Sequence, residues 1–82
     1  MNAPKLHLTI ARVDQAVFDG EVDSVIVPGT DGEMTIMAEH ESLISTLKEG
    51  RISIKKGEEM DEVFEVEKGM IEVSDSTATI LI

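Results

Sequence analysis

The chain has 82 residues, no cysteine, two histidines, and 17 acidic against seven basic side chains, a formal net charge of −10. That length holds one domain, and a sequence without cysteine has neither disulfides nor thiolate metal sites. Such charge repels phosphate backbones and anionic headgroups, which argues against nucleic acid and direct lipid insertion as binding modes. A domain this small buries only about 60–65% of the surface of its unfolded chain, so without cross-links it is expected to lean on a partner. The lack of cysteine also suits a reducing compartment.

In chain order, Leu6, Leu8 and Ile10 alternate with His7, Thr9 and Ala11, the period of a half-buried strand. Ala16–Phe18 reads as a second short strand closed by the turn pair Asp19-Gly20. Val22–Val27 follows and stops at Pro28-Gly29. In the segment PGTDGE, Pro28 presets φ and the glycines accept positive φ, which makes a tight turn. Met34–Met37 and Leu43–Leu47 flank His40. Arg51–Lys55 puts Ile52 and Ile54 on one face, Val63–Glu67 carries Phe64 and Val66 inward, and Met70–Val73 carries Ile71 and Val73. Ala78–Ile82 ends the chain. These spacings predict an all-β fold, a small antiparallel β-sandwich or flattened barrel of about nine to ten short strands, as one domain over residues 1–82.

Eight acids lie between Glu58 and Asp75, where Lys68 is the only basic residue, and they read as a solvated, solubilising hairpin. No apolar run approaches the ~20 residues of a membrane span. The N-terminus MNAPKLHL lacks a signal or transit pattern, so a soluble protein made where it works is expected.

Some strands are apolar on both faces. Val22 and Ile26 are expected to point one way and Val25 and Val27 the other; Met37 opposes Met34 and Ile36, and Ile44 opposes Leu43 and Leu47. A strand with one solvated face alternates cleanly. Two explanations stand, the pinched geometry of a small barrel and a face that meets a partner protein.

The sequence offers little chemistry. His7 and His40 have no metal-spaced companions, and PGTDGE matches neither a Walker loop nor a dinucleotide fingerprint. Asp31-Gly32-Glu33 lacks the alternating acids of a calcium loop. From the residues alone His40 has three readings: a catalytic base without a visible nucleophile, a loop histidine bonded to a backbone carbonyl, or a polar contact at an interface. A stand-alone β-sandwich module that binds a protein or ligand is the alternative to a subunit of a larger assembly.

The ordered residues Pro28-Gly29-x-x-Gly32-Glu33, Ile36, His40, Leu43, Leu47, Gly50 and Ile52 resemble the N-terminal β-sandwich of the epsilon subunit of the F-type ATP synthase, whose mitochondrial counterpart is delta. The similarity starts at Leu6, includes Val17-Phe18-Asp19-Gly20 and Gly69-Met70-Ile71-Glu72-Val73, and reaches Thr79-Ile80-Leu81. The resemblance implies a non-catalytic part of the central stalk that joins the gamma shaft to the c-ring and couples proton or sodium flow to ATP synthesis. It likewise implies no cofactor, metal or small-molecule substrate, and a peripheral place on the cytoplasmic face of the bacterial inner membrane. By the same resemblance the shaft contact maps onto His40, Ser42, Leu43, Ser45 and Arg12. The c-ring contact maps onto Gly29, Thr30, Asp31, Gly32 and Glu33, with Glu33 facing arginine-bearing loops.

Two departures from the family pattern stand out. Ala38-Glu39 and Glu41-Ser42 replace the prolines usual around the histidine, which predicts a looser, more acidic loop over Ala38–Ser42. Lys68 stands where a glycine pair is common. Most family members continue into a C-terminal helical hairpin, whereas this sequence stops at Ile82, so neither a helical brake on hydrolysis nor ATP sensing is expected of this polypeptide.

Overall fold

A computed structural model describes residues 4–58 and 61–82. Nine strands follow one another in it: β1 (Leu6–Arg12), β2 (Gln15–Val22), β3 (Ser24–Gly29), β4 (Gly32–Met37), β5 (His40–Leu47), β6 (Gly50–Lys55), β7 (Glu62–Val66), β8 (Gly69–Asp75) and β9 (Thr77–Leu81). All-β is correct. Hydrogen bonding links β2-β1-β9-β8-β5-β3-β6-β7 in one continuous path, with β4 added on β3. The link from β5 to β3 is a single pair, Gly29 opposite Leu47. There the sheet folds over itself, giving two layers, β2-β1-β9-β8-β5 and β4-β3-β6-β7, the arrangement of a sandwich.

The alternation read from the sequence supplies the inner faces. Leu6, Leu8, Ile10, Ala78, Ile80, Ile71, Val73 and Leu47 from one layer meet Val25, Val27, Ile36, Ile52, Ile54 and Val66 from the other, all buried. No polar or charged side chain is buried among the described residues. The core therefore carries no desolvation cost from polar side chains. Phe18 on β2 meets Phe64 on β7 edge to face at 6.3 Å, closing one side of the sandwich, and Lys56 lies over the Phe18 ring.

Several expectations need correction. One pairing is parallel: β1 runs alongside β9, with Leu8 opposite Ala78 and Ile10 opposite Ile80. Asp19-Gly20 is not a turn, because β2 continues through it with Asp19 opposite Thr9 and Gly20 opposite Leu8. The Phe18 ring lies beside Gly20, at ordinary contact distance, 3.8 Å, from where a Cβ would stand. Nor is Val22–Val27 one strand. Val22 ends β2 and is buried, a bend follows at Asp23, and β3 then buries Val25 and Val27 while Ile26 points outward. The bend resets the alternation, so Val22 shares a side with Val25 and not with Ile26. Pro28 and Gly29 lie within β3, and the turn is the two-residue Thr30-Asp31, with Gly29 opposite Gly32.

Gly29 has no room for a side chain: an added Cβ would sit 2.6 Å from the Gly32 carbonyl oxygen and 3.0 Å from Met34. Gly32 adopts φ 140°, which L side chains rarely do. Gly29→Ala is expected to cost about 1–3 kcal/mol by overpacking, read from urea midpoints. A midpoint within error of the parent would show that the hairpin has slack.

Asp23 organises the opposite end of the sandwich. Its carboxylate accepts bonds from the Lys5 ammonium and from the Gly57 amide, tying the N-terminal segment and the β6–β7 connection to the β2–β3 bend. The Lys5 bond, helped by the Gly57 N–H, holds its pKa below the ordinary 3.8. Because the folded value lies below the unfolded one, this contribution is complete above the ordinary carboxylate value and fades as pH falls through the lowered one. Asp23→Asn is expected to remove that acid-side dependence and to lower the melting temperature at pH 7 modestly, measured by thermal circular dichroism from pH 2 to 7. Parallel pH profiles for parent and variant would rule the tie out.

Candidate partner-binding site

The residues mapped to the shaft do not converge on one spot. His40 opens β5 opposite Asp75, and Ser42, Leu43 and Ser45 follow along the same strand. Arg12 closes β1 at the other end of the strands, where Ile82 bonds the Ala11 carbonyl and where the turns after β3, β5 and β7 also lie. Leu43 is half-buried and packs on the core, so it belongs to the interior more than to a contact surface. Ser45 is half-buried on the same side, and Ser42 is exposed.

His40 itself is half-buried. Its Nδ1 lies 2.8 Å from the Glu41 carbonyl oxygen, and since a carbonyl only accepts, Nδ1–H is the donor. In the neutral ring this leaves Nε2 as an acceptor, the state of a histidine satisfied by its own backbone. The segment expected as a loop over Ala38–Ser42 is instead a two-residue turn, Ala38-Glu39, followed by a bulge between His40 and Leu43. Glu39 takes φ 61° and Asp75, the last residue of β8, φ 56°; the turn after β4 is tied to the one after β8 by the Glu39 amide donating to Ser76 Oγ at 2.9 Å. Left-handed backbone at non-glycine residues is uncommon, and the hydrogen bond offsets part of its cost.

The residues mapped to the c-ring do cluster, as one hairpin tip. Thr30 is tied back, its amide and hydroxyl reaching the Thr46 carbonyl at 3.1 Å and its hydroxyl meeting Thr46 Oγ1 at 2.7 Å. Asp31, Gly32 and Glu33 are exposed, and neither carboxylate makes an ion pair among the described residues. The tip is a braced projection with two unengaged negative charges.

Sequence reasoning missed the most continuous apolar surface. On the outer face of β5, β8 and β9, Ile44 is 67% exposed, Met70 44% and Leu81 50%. Met70 stands directly opposite Leu81, and Ile44, opposite Glu72, is diagonal to Met70. Side chains so placed lie within reach of one another across strands. The two-faced character of β5 was a signal for Ile44. Met70 and Leu81 gave none, because a single apolar residue beside a core position looks like a strand end. Met37 and Val63, also about half exposed, lie on the outer face of the other layer.

The acids of the Glu58–Asp75 stretch are exposed wherever they are described, consistent with a solvated hairpin; Glu59 lies outside the described residues. His7 Nε2 meets Asp19 at 2.8 Å and Thr9 donates to the same oxygen at 3.1 Å, an exposed pair worth about 0–1 kcal/mol. Among the described residues no three or more His, Cys, Asp or Glu side chains converge to hold a metal, and no helix is long and apolar enough to cross a membrane.

These features define a small β-sandwich whose exposed surface includes a braced acidic hairpin tip and an apolar stripe. The chain belongs to the ATP synthase delta/epsilon chain β-sandwich family, whose model matches residues 5–82. It is 41% identical over 81 residues to the ATP synthase epsilon chain of Leptospira borgpetersenii serovar Hardjo-bovis, covering 99% of this chain and 63% of that one. It is 35% identical over 77 residues to the ATP synthase epsilon chain of Caulobacter vibrioides, covering 94% and 88% respectively. This chain therefore spans less than two thirds of the Leptospira relative and most of the Caulobacter one. The fold is similar to a chain in the Euglena gracilis mitochondrial ATP synthase, with a TM-score of 0.88 at 23% identity over 99% of this chain and 52% of that chain. A chain in the Tetrahymena thermophila mitochondrial ATP synthase central stalk and c-ring gives a TM-score of 0.78 at 18% identity, over 99% and 65%.

Proposed function

We propose that this domain is a non-catalytic coupling element in the rotor of an F-type ATP synthase, joining the gamma shaft to the c-ring while proton or sodium flow drives ATP synthesis. Family membership across residues 5–82 carries the reading. In it, the outer stripe of Ile44, Met70 and Leu81 grips the shaft, with Ser42 and His40 further along β5. The Gly29–Glu33 tip rests on the c-ring loops, and the whole sits peripherally on the cytoplasmic face of the bacterial inner membrane.

The physics suits the role. Torque passes through a body that does not shear, and lateral hydrogen bonds from strand to strand supply that stiffness. Apolar area yields about 25 cal/mol per Å² buried before association costs, so the stripe provides the grip. Glu33 against an arginine in an exposed turn contributes about 0–1 kcal/mol and sets position more than strength. Isothermal titration of the purified domain with the gamma subunit of the same organism tests the proposal. Saturable one-to-one binding is expected, and no heat or co-elution at tens of micromolar would overturn it.

A further inference from the structure

The end of the sandwich that carries the Gly29–Glu33 tip also holds an open groove of about 750 Å³, lined by Arg12, Arg51, Lys68, Glu49, Glu65 and Glu67. Val66 and Ile82 add apolar surface to it. Three of the seven basic side chains of a chain with net charge −10 thus converge on one depression. None of the three makes an ion pair or a side-chain hydrogen bond among the described residues, although Arg51 is directly opposite Glu65 across β6 and β7. Cations held near carboxylates without engaging them remain available to an incoming acid.

The groove adjoins the apolar stripe along the chain. Lys68 lies two residues from Met70, Arg12 follows Ala11, which is opposite Leu81, and Ile82 follows Leu81. A partner that covers Ile44, Met70 and Leu81 therefore runs into Arg12 and Lys68 at its edge. We propose that this groove receives an acid-bearing segment of the shaft subunit, whose carboxylates pair with Arg12, Arg51 and Lys68. This rests on the reading of the domain as a shaft-gripping subunit. It makes Arg12 part of an electrostatic latch at the ring-facing end, separate from the His40 end of β5. With three cations against Glu49, Glu65 and Glu67 the groove is formally neutral, whereas the chain as a whole carries −10. An acidic segment is therefore repelled less here than over the rest of the surface, and the groove also fixes which way round the partner lies.

The test is binding of the purified gamma subunit to the parent domain and to the Arg12→Glu, Arg51→Glu, Lys68→Glu triple variant, at 50 and 300 mM salt. All three side chains are exposed, so the variant is expected to keep its circular dichroism spectrum and to melt within a few degrees of the parent. The expected result is at least tenfold weaker binding at low salt, a flatter salt dependence, and, for the parent complex, a carbodiimide cross-link from Lys68 to a glutamate or aspartate of gamma. Parent binding matched by the triple variant at both salts, with no cross-link from Lys68, would overturn the groove proposal and leave the coupling role standing. Absence of parent binding would overturn both.

Discussion

Replacing Ile44 and Met70 together by aspartate is expected to weaken binding to the gamma subunit by roughly 100-fold or more, about 2.7 kcal/mol, with the fold intact. Both side chains project from the outer face, so the folded domain does not need them, while the proposed complex buries them. The substitutions remove apolar area and place two carboxylates where desolvation without a partner is unfavourable. They also add two negative charges, so a charge-matched control is required. Met37→Asp with Val63→Asp applies the same change to exposed apolar residues on the opposite outer face. Titration calorimetry of both double variants distinguishes the flanks. Loss in the control with retention in the Ile44/Met70 variant would move the shaft to the other layer. Leu43→Asp is a poor choice, since Leu43 packs on the core and its loss would mix unfolding with lost contact.

Ile80→Ala is expected to cost about 2–5 kcal/mol, a large part of the stability available. At ~0.05–0.15 kcal/mol per residue, a domain of this size has about 4–12 kcal/mol in total. Ile80 is fully buried on β9, opposite Ile10 on one side and Ile71 on the other, so its loss leaves a cavity against both neighbours of the central strand. Thr79, one residue away on the outer face, is the internal control, and Thr79→Ala is expected to change stability by less than ~0.5 kcal/mol. Urea unfolding followed by far-ultraviolet circular dichroism suits a chain with neither tryptophan nor tyrosine. Equal effects at the two positions would mean that the core is not packed as described. A severe loss at Ile80 would also lower the amount of the proposed complex, because a marginal domain presents its outer apolar stripe only while folded.

The family resemblance and the core were legible for the same reason. Leu6, Leu8 and Ile10, or Ile52 and Ile54, reveal their inner face by alternation, which depends only on the strand's own period of two. Turn chemistry marked the Gly29–Gly32 hairpin, though it placed Pro28 and Gly29 in the turn when they end β3. The bend at Asp23 was not legible, because the bonds that fix it come from Lys5 and Gly57, 18 residues before and 34 after. The continuation of β2 through Asp19-Gly20 depends on β1 being there to pair with it.

By itself the sequence determined which residues are apolar and with what period, and hence the fold class, the inner faces and the family. Only the tertiary structure decided that β1 runs parallel to β9, that Arg12 and His40 stand at opposite ends, and that Ile44, Met70 and Leu81 adjoin while Arg12, Arg51 and Lys68 share a groove. Those arrangements arise from pairing and register between distant strands. Free energy there comes from contacts that exist only once the sheet has closed, and no local pattern records them.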